Sequence, residues 1–345
     1  MKIRIILFAI ILLSLHQTAF SQLLYSDDWK PDTLNGFENK TLVFSDDYDG
    51  KVTATLIRKF SEEPTTKAVL YVHGFVDYFF QEELADQYVN NGYNFYAIDL
   101  RKHGRSLLPH QHPNFMFSVN EFYADLDAAI NIIKEVDGNE KLLLNAHSTG
   151  GLITALYMAD KGSNPFDAVV YNSPFFDISD AFININERIL IPSFLKGIAS
   201  LIPYGDTSMR IAVQYGQSLH ISERGEWNYD TNLKPIQSFP IYWGWLKGIM
   251  DAQQRLQAGL KLEVPILVMY SRKSSTPFLN FWKDKFKRTD IILDVSDINR
   301  ISDVLGYHVN EIQIKDGVHD LTLSRQDVRN KVYQHMMNWS NSHMK

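Results

Sequence analysis

The sequence contains no cysteine. No disulfide can staple this chain and no lipid-modified cysteine can anchor it, so its stability rests on the apolar core. Charged residues are modest at 21%, and the formal net charge is −6. Basic residues nowhere form a run of about five or six, which argues against nucleic acid as a partner and against a basic membrane-surface patch. Internal repeats and low-complexity linkers are also missing. One long apolar run exists, from Ile5 to Leu15, behind Lys2 and Arg4 and ahead of Ala19-Phe20-Ser21. That order of charged, apolar and small-x-small segments predicts a signal peptide over 1–21. A retained membrane anchor is the alternative, but the run is shorter than the ~20 residues that a bilayer span needs. Export to the periplasm or the extracellular space is therefore expected.

What is present suits a globular protein with a sizeable core. Hydrophobic residues make up 45% and aromatics 13% of the 345 residues. Two strands, Lys40 to Phe44 and Val52 to Phe60, flank the turn pair Asp49-Gly50. Short apolar strands follow at Ala68 to Val72, Asn94 to Leu100, Lys141 to Asn145, Ala168 to Tyr171, Val264 to Tyr270 and Glu311 to Lys315. Helical stretches at Phe80 to Asn90, Val119 to Val136 and Thr149 to Lys161 alternate with them. Alternation of this kind predicts an α/β fold, a mostly parallel sheet with helices on both faces. It stops over 173–263, where helical periodicity carries Phe182, Ile189, Leu190, Phe194, Leu195, Trp243, Trp245 and Ile249. This stretch is too long for a plain loop and reads as a helical cap inserted into a core formed by 22–172 and 264–345.

Chemistry concentrates at strand ends. Ala146-His147-Ser148-Thr149-Gly150 follows a buried strand and opens a helix. A serine nucleophile on so tight a turn needs small neighbours, and alanine replaces the more usual first glycine. His73-Gly74-Phe75 follows the first buried strand. Its Phe75 N–H, with the Thr149 N–H, is the candidate oxyanion hole. His319, in Gly317-Val318-His319-Asp320, lies in a loop before the last helix and is the candidate general base. Ser324 and Asp327 read as a capping box for that helix. The acid is expected soon after the strand ending at Tyr270, yet Ser271 to Ser275 offer no carboxylate. Candidates are Asp284, Asp290, Asp294 and Asp297. Asp294 reads as a helix cap, which leaves Asp290 just ahead of the helix, with Asp294 as the alternative. His147 is either structural or lines the pocket. Trp243 and Trp245 are packing residues first and pocket wall second. The loose group His103, His110 and His112 lacks the converging carboxylates of a metal site, so no metal and no cofactor is expected.

With these motifs in hand, the chain resembles the monoacylglycerol lipase, lysophospholipase and serine aminopeptidase-like branch of the α/β-hydrolases. The resemblance rests on His73-Gly74, on Asp99-Leu100-Arg101-Lys102-His103-Gly104-Arg105-Ser106, on His147-Ser148-Thr149-Gly150-Gly151 and on Gly317-Val318-His319. It departs at Ala146, at Lys102 where the branch has glycine, and in the long segment before Asp290. It implies acyl transfer by Ser148, His319 and Asp290 on a small-molecule or lipid ester. An aromatic cap fits a greasy acyl chain, and Phe182 to Pro203 is amphipathic enough to touch a lipid surface. Peptidase activity would require an acidic pocket for a substrate amine. A silent binding protein on the same fold and a cofactor-free peroxidase are further alternatives.

Overall fold

The computed structural model describes residues 24–25, 28–178, 191–277 and 281–345. The expected signal peptide, 1–21, and the cap residues Phe182, Ile189 and Leu190 lie outside the described residues. Among the described residues, ten strands form one sheet: β1 (Leu24–Tyr25), β2 (Lys30–Pro31), β3 (Glu38–Asp47), β4 (Gly50–Lys59), β5 (Lys67–Val72), β6 (Asn94–Asp99), β7 (Lys141–His147), β8 (Ala168–Asn172), β9 (Ile266–Ser271) and β10 (Val309–Ile314). Their spatial order is β1-β3-β4-β6-β5-β7-β8-β9-β10, with β2 on β3. From β6 to β10 every neighbouring pair is parallel, while β3, β4 and β6 pair antiparallel.

The central strands are apolar throughout because both faces are covered. Residues still alternate between faces. Leu70, Leu144, Val169 and Val268 join one core with α2 (Tyr123–Asn131), α3 (Thr149–Lys161), α6 (Trp243–Gln257) and α7 (Val295–Ser302). Val69, Leu143, Val170 and Leu267 join the other, with α1 (Glu82–Asn90) and α8 (Gln326–His343). The predicted long helix over 119–136 is a composite. Val119–Phe122 is a 3₁₀ turn opened by a Ser118–Glu121 capping box, α2 follows, and Ile132–Val136 widens into a π turn.

Between β8 and β9 the chain leaves the sheet and builds α4 (Ile191–Leu201), α5 (Val213–Leu219) and α6. Helix α6 lies unusually close to the core. A Cβ on Gly248 would come within 2.6 Å of the Phe117 carbonyl oxygen, and one on Gly244 within 2.8 Å of the Phe115 ring. Glycines one helical turn apart thus let the backbone of α6 rest directly on the loop at Phe115–Phe117.

Lys102, the departure from glycine, has φ +61°. This left-handed backbone is one glycine adopts freely and lysine does not. The side chain explains the exchange. Lys102 is fully buried and its ammonium pairs with Asp47 at 2.9 Å and Asp49 at 3.4 Å, over the Tyr48 ring. It thereby ties the turn between β3 and β4 to the loop after β6.

Candidate functional site

Ser148 sits between β7 and α3 with φ +51° and ψ −119°. This is a strained conformation for a non-glycine residue, and it lifts the hydroxyl clear of the turn. Small neighbours are mandatory. A Cβ on Gly150 would lie 2.5 Å from the His73 carbonyl oxygen, and one on Gly74 2.9 Å from the Ser148 Cβ. Ala146 is still inside β7, paired with Val72 and Tyr171 on its two sides, where a strand residue keeps its Cβ without strain.

The three residues read from scattered strand ends are hydrogen-bonded in series. His319 Nε2 lies 3.0 Å from Ser148 Oγ, and His319 Nδ1 lies 2.8 Å from Asp290 Oδ2. All three are buried. The other Asp290 oxygen accepts the Ile292 and Leu293 N–H groups at 2.8 and 2.9 Å, which aims the free oxygen at the imidazole. Asp294 does something else: it caps α7 by accepting the Ser296 N–H at 2.9 Å. The long segment ahead of Asp290 is an excursion that closes on itself. The Asp290 N–H donates to the Lys273 carbonyl at 2.9 Å, and the Ser275 N–H donates to the Asp290 carbonyl at 2.7 Å. In space, Asp290 therefore stands just beyond the end of β9.

The loop carrying His319 is pinned by Ser324, whose hydroxyl accepts the Val318 N–H at 3.1 Å. This corrects the expected capping box. Helix α8 opens after Arg325, and Ser324 is taken up because Asp320 already caps the 3₁₀ turn Leu321–Leu323. Across the site, His73 locks the candidate oxyanion loop. Its Nε2 accepts the Leu100 N–H at 3.0 Å, so its Nδ1 carries the proton and donates to the Gly74 carbonyl at 2.7 Å. Among the described residues, neither the Phe75 nor the Thr149 N–H donates to a protein acceptor. The next residue, Val76, has φ +50°, an outlier for a β-branched side chain.

Of the other expected site residues, His147 is buried with its ring 4.9 Å from that of His319, and its Nδ1 bonds the Asn172 carbonyl. Burial holds its pKa below the ordinary histidine value. Trp245 packs on Phe75 with ring centroids 4.2 Å apart. Trp243 instead packs on Gly205. The buried Asp99 pairs with the half-buried Arg105, which also holds Asp32, while Asp99 receives the Phe79 N–H, fixing two loops at once.

Sequence reasoning missed a buried polar group beside His147. Asp77, His147 and Asp320 each place one potential ligand atom within 4.8 Å of the others. A cation is already there: the Lys234 ammonium, from the insertion, lies 2.6 Å from Asp77. Asp320 accepts from Asn172, Thr322 and Gln81. Burial opposes ionisation of Asp320, but His147, the Thr322 hydroxyl, Lys234 and Asn172 outweigh it and keep its carboxyl below the usual range. A divalent ion would have to displace the ammonium. Tyr215, also from the insertion, stacks edge-on against His319 at 5.7 Å. Asp320 was visible next to His319. Lys234 carries no local signal, because its partner lies 157 positions away.

A serine on a strained turn, a histidine within hydrogen-bond reach of its hydroxyl and a carboxylate holding that histidine make an arrangement that can support nucleophilic acyl transfer. Comparison with known proteins agrees with this chemistry at the level of family and fold. The model of the serine aminopeptidase S33 family matches residues 63–275, a span holding His73, Phe75, Ser148 and the whole insertion. A monoacylglycerol lipase from Paleococcus ferrophilus superposes with a TM-score of 0.60 at 18% identity, covering 84% of this chain and 99% of that chain. A soluble variant of monoglyceride lipase from Saccharomyces cerevisiae gives 0.60 at 16% identity, covering 94% and 98%. A carboxyl esterase from Bacillus coagulans gives 0.60 at 15%, covering 89% and 99%. At these identities the likeness establishes the fold. No curated protein matches the sequence. The chain belongs to the serine aminopeptidase S33 family of α/β-hydrolases.

Proposed function

We propose that this protein hydrolyses carboxylic esters of lipid type, a monoacylglycerol or a lysophospholipid, through an acyl-enzyme on Ser148. The observation that carries the reading is the hydrogen-bonded series Asp290–His319–Ser148 at the end of the parallel sheet. Ser148 Oγ attacks the ester carbonyl as His319 Nε2 takes its proton. Asp290 keeps the proton on Nδ1 and stabilises the imidazolium. The Phe75 and Thr149 N–H groups receive the oxyanion at the start of α3. His319 returns the proton to the departing alcohol, and water then releases the acid by the same steps.

In this reading 173–263 is a cap over the site, and 1–21 directs export. Acyl-chain specificity falls to the cap side, where Trp245 and Tyr215 approach Phe75 and His319. The end of α4 supports transient contact with a lipid surface: Leu201 is 83% exposed and Ile202 53%. The peptidase reading is weaker. A substrate amine needs a free buried carboxylate, and the Asp77 carboxylate, beside His147, already holds the Lys234 ammonium.

The test is hydrolysis of a nitrophenyl ester series from acetyl to palmitoyl, with monoacylglycerol and lysophospholipid alongside, by the wild type and Ser148→Ala. Activity absent from the variant and best with long chains is expected. Hydrolysis that survives in Ser148→Ala sinks the mechanism, and an acetyl optimum sinks the lipid assignment.

A further inference from the structure

We propose that Lys234 is a positioning residue: through Asp77 it holds the cap onto the oxyanion loop, so that the hole is assembled only while the cap is seated. The proposal rests on the reading of Phe75 as an oxyanion donor. Asp77 is two residues beyond Phe75, and between them Val76 is held at φ +50°. A strained β-branched residue persists only where its surroundings over-determine it. Here the cap contributes the restraint at four points along one short loop. Trp245 packs on Phe75. Lys234 pairs with Asp77 at 2.6 Å. Tyr78 Oη accepts the Asp230 N–H at 2.8 Å, and the Phe80 ring lies 4.9 Å from that of Tyr229.

Among these contacts the ion pair is the one that commits the loop. Lys234 is 4% and Asp77 2% exposed, so separating them leaves a charge buried alone. The second Asp77 oxygen is buried and finds no hydrogen-bond donor among the described residues. Lys234 is thus the principal group fixing that carboxylate. Around the ammonium stand Phe80, Tyr215 and Tyr229, aromatic faces that favour a cation but supply no second anion. Cap movement therefore breaks this pair and frees the loop on which the Phe75 N–H depends.

The experiment compares Lys234→Met, Asp77→Asn and the double variant Asp77→Asn/Lys234→Met in the full chain. The double variant removes both charges of the pair, while Asp320 keeps its hydrogen bonds from Asn172, Thr322 and Gln81, and so separates loop positioning from misfolding. A nitrophenyl ester gives kcat and KM, and a trifluoromethyl ketone that adds to Ser148 reports affinity for the oxyanion. We expect kcat to fall about 10- to 100-fold in all three variants, without additivity, because a misplaced oxyanion donor acts on the transition state. KM should stay within about threefold, and ketone affinity should weaken in step with kcat. Amide exchange at residues 75–77 should quicken in the double variant, a readout that needs no substrate. A folded double variant with wild-type kcat, ketone affinity and exchange overturns the proposal. So does a raised KM at unchanged kcat, which would make Lys234 a substrate-binding group. Wild-type protein without Ser148-dependent hydrolysis would refute the esterase reading instead, while the exchange result would still decide the coupling.

Discussion

Two aspartates four positions apart do different work, and the difference is visible in where each carboxylate points. Asp290 accepts two backbone N–H groups with one oxygen and faces His319 with the other. Asp294 faces the open end of α7. Asp290→Asn can keep the backbone bonds but presents an amide or a neutral oxygen to His319 Nδ1, and so favours the wrong tautomer. We expect kcat to fall by about 10⁴ with stability little changed. Asp294→Ala should leave kcat alone and cost about 1 kcal/mol of stability, as a lost helix cap does. Steady-state kinetics and urea unfolding of the two variants decide this; a large kcat loss in Asp294→Ala would reverse the assignment. The sequence allowed the distinction because Asp294-Val295-Ser296-Asp297 carries a cap signature. It did not show why so long a segment precedes the acid. Backbone pairing of Asp290 with Lys273 and Ser275 is a long-range event that periodicity does not encode. The same holds for Lys234, whose role depends entirely on a partner brought near by folding.

At the scale of elements, alternation of apolar strands and amphipathic helices was enough to read the parallel strands, because strands buried on both faces leave continuous apolar runs, whereas the two-residue edge strands β1 and β2 carry no such run and were not read. Ends were harder. Ser324 has the sequence of a cap and the geometry of a loop brace, since Asp320 claims the turn before it. In the insertion, the Trp243-Gly244-Trp245 and Gly248 positions were read for their tryptophans, whereas the glycines set the distance of α6 from the core. Gly248→Ala tests this. The added methyl would meet the Phe117 carbonyl, so α6 must lift away. Such overpacking costs about 1–3 kcal/mol, although alanine is the better helix former by about 1 kcal/mol. A net loss of stability is expected, together with weaker stacking of Trp245 on Phe75 and altered chain-length preference. Thermal unfolding and the ester series measure both, and a stabilised Gly248→Ala with an unchanged profile would show that α6 has room to spare.

Across the whole molecule, a chain without disulfides relies on a core that also encloses ionisable groups, and these set its response to acid. Burial, reinforced by neighbouring His73, holds His103 at about 3, far below its ordinary value of 6.5. His147 is lowered too, burial again leading. His103 is neutral in the folded state at neutral pH and gains a proton readily only on unfolding. Its contribution is therefore complete above pH 6.5 and is withdrawn as pH falls towards 3, at up to about 1.4 kcal/mol per pH unit, and the lowered His147 acts in the same direction. Asp32, lowered because Arg105 and Leu34 outweigh its burial, adds a further loss below the ordinary carboxylate range. Asp125 runs the other way: burial raises it, so it offsets part of the loss in the same acidic window. The histidine effect thus stands most nearly alone between pH 6.5 and 5. Urea unfolding there should show wild-type stability falling with acid. His103→Gln, which cannot take up the proton, should show a slope shallower by as much as one proton per molecule, whatever its own stability. Parallel slopes for the two proteins would mean that His103 is already protonated in the fold, and the hydrogen bond from its Nδ1 to the Arg101 carbonyl would then have to balance a buried charge.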